Sequence, residues 1–396
     1  MTTNTSRTET DTEKLSVSLV RDDLFFRAQR AIGLVPRTGL GIARRALGYA
    51  LVAWLPIALW VAVAGHAIEG AVDEPLLQHF GVSVRCLIAI PLLVLAEAMA
   101  QATMRRLLPQ FVQAGLVTDL PAFVKTLESV RRLRDRTLPW VVIAAVVLAW
   151  TILAPDTHQG HDVRWAGDVQ RPAGIGFGGW WYLYVARPIY LVLALAWLWR
   201  IVLAFVLFQR LAALPLSLVP THPDRVGGLG FLESVPVAFA LVILAFSAVF
   251  AAGWAHDVVY HGLSVASLKV PVGGFLVLVA VVFLAPLVVF GGPLRRAKRA
   301  ALLEYGALVA EHGRTVHRRW IEKKPVEDDA LISAPEIGPV ADVQAIYEAV
   351  QKMRPLPIGK STLLAVVVPA LIPVLIVVSL QVPIGQLLLQ ILKALS

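Results

Sequence analysis

The sequence is short of charged residues and of cysteine. Only 16% of its 396 residues are Asp, Glu, Lys or Arg, whereas 57% are hydrophobic, and the mean hydropathy is +0.70. A soluble domain carries about 25% charged residues, so this composition excludes an ordinary soluble globular protein. The one cysteine, Cys86, excludes an intramolecular disulfide and a thiolate metal cluster.

Several functional motifs are also missing. No Ser/His/Asp, Cys/His or paired-carboxylate pattern stands out, so we expect neither an enzyme nor a bound cofactor. Gly359-Lys-Ser361 imitates the end of a phosphate-binding loop, but Arg354 stands where its first glycine should be. The net charge is +9, yet no basic patch interleaved with aromatics indicates nucleic-acid binding. The first 45 residues contain no short apolar signal segment, so we expect the first span to serve as an uncleaved anchor.

Seven apolar runs are present, each near the ~20 residues that a membrane-spanning helix needs. They predict an all-α, polytopic transmembrane helical bundle of about seven spans with a small cytoplasmic helical layer, and the lipid bilayer as its surroundings. A later apolar segment, Ile384 to Leu395, is too short to span and is expected to be interfacial or packed on the bundle. The predicted spans are Ala46–Gly65, Val82–Thr103, Leu138–Ala154, Trp180–Phe208, Val235–Trp254, Val270–Phe290 and Leu363–Leu380.

The basic residues predict the orientation. Of the 36 Lys and Arg, 29 lie before the first predicted span or in alternate loops on the same side. Because positively charged loops stay inside, we expect the N-terminus and these loops in the cytoplasm. With seven spans the C-terminus would lie outside.

The chain divides into four predicted parts. Residues 1–45 form a cytoplasmic tail, 46–292 a six-span bundle, 293–362 a cytoplasmic helical segment, and 363–396 the last span with a C-terminal interfacial segment. In the tail, Val17 to Leu34 reads as an amphipathic helix that lies either on an anionic membrane surface or on the protein's own cytoplasmic face. Two apolar helical stripes in the third part must also be buried; they are Leu302, Tyr305, Val309, Val316 and Trp320, then Val343, Ile346, Tyr347 and Val350.

Glu97 and Arg200 are ionisable residues at membrane depth, where lipid makes them costly. Both lie in spans that run from outside to inside, so they should sit at similar depth and form a pair. The functional interpretation is a gate or a solute path. The structural alternative is an ion pair that locks two helices together.

The segment Thr221-His-Pro-Asp-Arg-Val-Gly-Gly-Leu-Gly-Phe231 is the most unusual stretch. Its glycines allow positive φ and close backbone approach. One interpretation is a re-entrant loop that binds an ion or anion through backbone N–H groups. The alternative is a tight cap at the start of the fifth span. The candidate residues are His222, Asp224, Arg225, Gly227, Gly228 and Gly230.

Histidines concentrate in the outer segments. His158, His161, His256 and His261, with neighbouring aspartates, could together bind zinc or sense pH. Their spacing follows no regular ligand pattern, so we predict no metal.

The Thr221–Leu232 stretch is part of a wider set of motifs. With Glu304-Tyr-Gly-Ala-Leu308, Trp320, Ala341–Tyr347, Met353-Arg-Pro355 and the proline-containing last span, it resembles an uncharacterised family of bacterial multi-pass integral membrane proteins. The resemblance covers roughly the C-terminal half of the chain. It implies the bacterial cytoplasmic (inner) membrane and assigns no activity.

Two functions fit these observations. The first is a channel or transporter for an ion or small solute. The second is a non-catalytic membrane scaffold or sensor that binds a cytoplasmic protein partner. A water-filled cavity at Arg200 would favour the first; a dry bundle with exposed apolar residues on the cytoplasmic helices would favour the second.

Overall fold

The chain folds into a bundle of long helices. A computed structural model describes residues 18–20, 23–36, 40–64, 76, 79–153, 164–168, 171–325 and 338–381. Within these ranges, seven helices are long and apolar enough to cross a membrane. They are span 1 (Ile42–Ala64), span 2 (Phe80–Gln113), span 3 (Leu120–Leu153), span 4 (Phe177–Ala212), span 5 (Gly230–Tyr260), span 6 (Val265–Val288) and span 7 (Lys360–Ser379).

The predicted all-α, seven-span fold is confirmed. Several helices extend beyond their apolar runs, which is why the observed bounds exceed the predicted ones. In span 3 an amphipathic helix, Leu120–Arg134, precedes the apolar helix Leu138–Leu153. Span 5 opens with a 3-10 segment, Gly230–Phe239, followed by the α-helix Ala240–Tyr260. The predicted C-terminal segment, Ile384–Leu395, lies outside the described residues.

Spans 2 and 4 each contain one π-helical turn just before a proline. These turns are Arg85–Ala89, ahead of Pro91, and Tyr182–Ala186, ahead of Pro188. Proline lacks an N–H and its ring crowds the carbonyl four residues earlier, so a wider turn relieves the clash without breaking the helix. The α-helices then continue as Ile90–Leu107 and Arg187–Ala212.

A short N-terminal helix, α1 (Leu24–Ala31), packs on the bundle. It covers only part of the predicted Val17–Leu34 helix. Asp23 is its N-cap and accepts a 2.6 Å hydrogen bond from the Phe26 N–H. Leu19, Val20 and Phe26 are buried. Of the two predicted placements, the structure therefore shows packing on the protein's own face.

A helical arm follows span 6 on the side of the basic loops. It consists of α2 (Gly291–Val316), a π-helical turn (His317–Ile321) and α3 (Gly338–Gln351), which packs against α2. The predicted apolar stripes are covered only in part. Val350 is buried and Leu302, Tyr305, Val309 and Val316 are half-buried, whereas Trp320 is 67% exposed.

Short backbone contacts connect the loops at each end of the bundle. On the basic side, Val117 and Leu216 form an isolated antiparallel bridge. On the opposite side, a small hairpin, β1 (Gly167–Asp168) with β2 (Arg171–Ile175), precedes span 4. These strands are a minor addition to the predicted helical fold.

Candidate functional site

Four charged side chains meet inside the bundle, near the basic side. Glu97 is central: its Oε1 accepts from Arg200 Nη1 at 2.9 Å, and its Oε2 accepts from Arg45 Nη1 at 2.5 Å. Arg200 Nη2 also donates to Asp23 Oδ2 at 3.0 Å. We call these four residues the charge network. None of their side chains is more than 1% exposed.

Four elements position the charge network. Asp23 precedes α1, Arg45 lies in the first turn of span 1, and Glu97 and Arg200 come from spans 2 and 4. Aromatic side chains pack beside both arginines. The Arg200 guanidinium lies 5.1 Å from the Trp197 ring centroid, and the Arg45 guanidinium lies 5.5 Å from the Phe26 ring centroid. Trp197 Nε1 donates to Leu93 O at 2.8 Å, one turn from Glu97. The network therefore joins α1 to three spans.

The network is electrically balanced but not fully hydrogen-bonded. Two carboxylates face two guanidinium groups, so the net charge is zero. A buried charge is tolerable only when it is paired in this way. Arg45 Nε and Nη2 and Arg200 Nε nevertheless have no hydrogen-bond acceptor among the described residues, although the Tyr49 side chain neighbours Arg45. Burial raises the pKa of the Asp23 carboxyl above its ordinary value, although Arg200 and the Phe26 N–H act in the opposite direction.

The predicted ion pair between Glu97 and Arg200 is present, but sequence reasoning missed its two other partners. Arg45 was assigned to the cytoplasmic tail; it instead lies within the helix of span 1 and is fully buried. Asp23 was not a candidate at all. The only local signal for Asp23 was its suitability as an N-cap three residues before Phe26.

In the Thr221–Phe231 loop, backbone N–H groups bind the carboxylate of a residue of the loop itself, Asp224. Asp224 Oδ1 accepts from the Val226 N–H at 2.8 Å and the Gly228 N–H at 3.2 Å, and Oδ2 accepts from the Gly230 N–H at 2.8 Å. Gly227 and Gly228 have φ of +68° and +95°, which turns the N–H groups inward. The carboxylate therefore occupies the place where an external anion would bind. This geometry corresponds to the alternative prediction, a cap at the start of span 5.

The remaining loop residues support this cap. Burial tends to raise the pKa of Asp224, but the three backbone N–H groups and His222 outweigh it and hold the pKa below its ordinary value. His222 Nδ1 lies 2.9 Å from Asp224 Oδ1. Gly230 is in close contact, because an added Cβ would lie 2.9 Å from the Cβ of Asp224. Arg225 has a φ of +60°, and its side chain is exposed.

Arg354 joins this loop to span 7. Its backbone N–H donates to Arg225 O at 2.6 Å, and its Nη2 donates to Glu233 Oε1 at 2.6 Å and to Asp224 O at 3.2 Å. Glu233 Oε2 accepts from the Ser361 hydroxyl at 2.7 Å. Gly359 makes room for this approach, because a Cβ there would lie 2.5 Å from Glu233 Oε2. We call Asp224, Glu233, Arg354 and Ser361 the loop junction.

Three histidines cluster at the opposite end of the bundle. The rings of His79 and His256 stack at 5.3 Å, and His256 meets His261 at the same centroid distance. Within the described ranges, no group of three or more His, Cys, Asp or Glu could hold a metal ion. The other two candidates, His158 and His161, lie outside those ranges.

Both groups of charged residues hold separate elements of the fold together. The charge network joins the N-terminal helix to the spans, and the loop junction joins the arm to spans 5 and 7. Comparison with known protein families, with curated proteins and with solved structures finds no match to this chain.

Proposed function

We propose that this polytopic membrane protein is a non-catalytic scaffold or sensor whose arm binds a protein partner in the cytoplasm. One observation carries the proposal: the arm leaves large apolar side chains exposed outside the seven spans. Leu303, Trp320 and Ile321 are 77%, 67% and 69% exposed. Exposed apolar groups of this size, surrounded by charge, are typical of protein-binding surfaces.

The two helices of the arm are joined to each other by hydrogen bonds. Lys298 Nζ donates to Gln351 O at 2.8 Å and to Met353 O at 2.6 Å, which fixes α2 to the end of α3. Arg354 then continues directly into the loop junction. A partner on the arm would consequently be linked to spans 5 and 7 through short polar contacts.

The charge of the arm indicates the kind of partner. Residues 291–325 include nine basic and three acidic residues, so electrostatic complementarity favours an acidic protein. The placement of the arm in the cytoplasm rests on the positive-inside rule. A bacterial inner-membrane location rests on the family resemblance of the C-terminal half.

Photo-crosslinking in cells tests this proposal. A photoreactive amino acid is introduced at Trp320 or Leu303, and at Val219 as a control that is also exposed on the basic side but lies off the arm. We expect discrete adducts with an acidic protein at the two arm positions and none at Val219. Absence of adducts at both arm positions, with protein present in the membrane, would contradict the proposal.

A second candidate is passage of an ion or small solute, with α1 closing the path. The supporting observation is the set of buried guanidinium nitrogens in Arg45 and Arg200 that have no acceptor among the described residues. Water or a passing anion could provide the missing acceptors.

Flux measurements test the second candidate. Ion and proton flux is compared in proteoliposomes of wild type, Asp23→Asn and the control Glu348→Gln, which removes a carboxylate from an exposed pair with Lys352 outside the charge network. Asp23→Asn removes the charge that holds α1 to Arg200 and should raise flux if α1 closes a path. If neither wild type nor Asp23→Asn shows detectable flux for any ion in a broad panel, this function is excluded.

A further inference from the structure

A groove opens between spans 5, 6 and 7 at the end of the bundle opposite the basic loops. Its volume is about 530 Å³, within the roughly 300–1,000 Å³ typical of ligand pockets. Five of its eleven lining residues are valines. The lining includes Trp254, Lys269, Val272, Val377, Val378 and Gln381.

Hydrogen bonds between neighbouring elements fix the walls and one end of the groove. Gln381 Oε1 accepts from the Val265 N–H at 2.8 Å, and Gln381 Nε2 donates to Leu263 O at 3.0 Å. These two bonds hold the short loop before span 6 against the end of span 7. Deeper in the bundle, Ser247 Oγ donates to Ala370 O and joins span 5 to span 7.

The lining has two chemical parts. Val272, Val377 and Val378 provide apolar walls at membrane depth, and Trp254 stands beside them near the end of its span. The rim is polar and carries one charge, Lys269, which is exposed and forms no ion pair with any described residue. An apolar groove with a tryptophan and a lysine at its mouth suits a lipid, whose acyl chains lie in the membrane core and whose headgroup lies at the interface.

We propose that this groove binds one phospholipid, with an acyl chain between spans 6 and 7 and its phosphate beside Lys269. The charge of Lys269 complements the phosphate, and in the bilayer the molecules present at this depth with a long apolar body are lipids. The negative headgroup of phosphatidylglycerol should be preferred over a zwitterionic one, because the rim residues carry no negative charge. This site is independent of the arm and of the charge network.

Native mass spectrometry of protein released from nanodiscs of mixed phosphatidylglycerol and phosphatidylethanolamine tests the proposal. Wild type should retain one phosphatidylglycerol. Lys269→Gln should lower that retention about fivefold, as expected for loss of one basic contact near a membrane surface. Val378→Trp, which fills the groove, should abolish it.

Matched controls separate the groove from general effects on lipid. Lys360→Gln removes a lysine from the other end of span 7, and Val368→Trp adds a tryptophan to an exposed position on the same helix outside the groove. Both should retain lipid as wild type does. If Val378→Trp fails to fold, Ala266→Trp at the exposed rim replaces it. Unchanged retention in Lys269→Gln or in the folded groove-filling variant would overturn the proposal.

Discussion

At the residue scale, the central carboxylate of the charge network is its most constrained member. Both oxygens of Glu97 are occupied, one by each arginine, and the side chain is fully buried. Removing either member of the Glu97–Arg200 pair leaves an uncompensated charge in a medium of low dielectric, whereas removing both leaves Arg45 and Asp23, whose opposite charges still balance. The two residues should therefore be strongly coupled in stability.

A double-mutant cycle tests this coupling. We expect Glu97→Gln and Arg200→Gln each to destabilise the protein by about 3–5 kcal/mol, and the double variant by clearly less than their sum. Unfolding can be followed by a thiol-reactive dye, because the single thiol, Cys86, is buried in span 2. Arg210→Gln, at the exposed end of span 4, is the control and should change stability by less than about 1 kcal/mol. Additive effects would contradict the coupling.

The carboxylate of Asp224 should give the loop a dependence on pH. Its pKa is lower in the folded protein than the ordinary value of 3.8, so its contribution is complete above that value and is lost as the pH falls through the folded pKa. The stability difference between wild type and Asp224→Asn should therefore be constant near neutral pH and shrink below about pH 4. Glu348→Gln, in an exposed pair with Lys352, should show no comparable difference at neutral pH. A stability difference between wild type and Asp224→Asn that does not shrink in acid would contradict this assignment.

At the scale of elements, the loop junction has its closest approach to the backbone at one glycine, Gly359. A methyl group at position 359 would contact the Glu233 carboxylate, which is already bound by Arg354 and Ser361. Since φ at Gly359 is −108°, the backbone itself would accept alanine, and any effect would be steric.

Gly359→Ala should consequently loosen the arm. We expect a loss of about 1–3 kcal/mol from overpacking, with faster hydrogen exchange in residues 344–353. Gly313→Ala is a matched control, because a Cβ there meets nothing within 4 Å; it should be neutral or stabilise α2 by up to ~1 kcal/mol. Equal exchange in wild type and Gly359→Ala would show that the close contact has no role in holding the arm.

The sequence predicted the parts of the structure that follow from the length of apolar runs and from depth in the membrane. The length of the apolar runs predicted the seven spans, and the shared depth of Glu97 and Arg200 predicted their ion pair. Asp23 lies 177 residues from Arg200 along the chain, and no local pattern indicates a contact at that distance. Likewise, glycines in the Thr221–Phe231 loop indicated inward N–H groups, but whether they hold a ligand or Asp224 depended on the fold of the loop itself.

At the scale of the whole molecule, the distribution of charge predicts the orientation. Arg225 and Lys269 are both exposed and lie at opposite ends of the bundle. In a Cys86→Ser background, an impermeant maleimide added to intact cells should label Lys269→Cys and spare Arg225→Cys. Disruption of the cells should allow both to react, which serves as the control. The reverse pattern in intact cells would place the N-terminus outside.

The charge network also bears on the order in which the chain enters the membrane. Arg45 and Glu97 belong to the first two spans, so this first hairpin can enter lipid as a neutral unit before the rest is synthesised. Arg200 arrives two spans later, and its partner Asp23 has by then already been synthesised. If insertion follows the order of the chain, both arginines of the network should be neutralised by carboxylates of the first two spans and the segment before them.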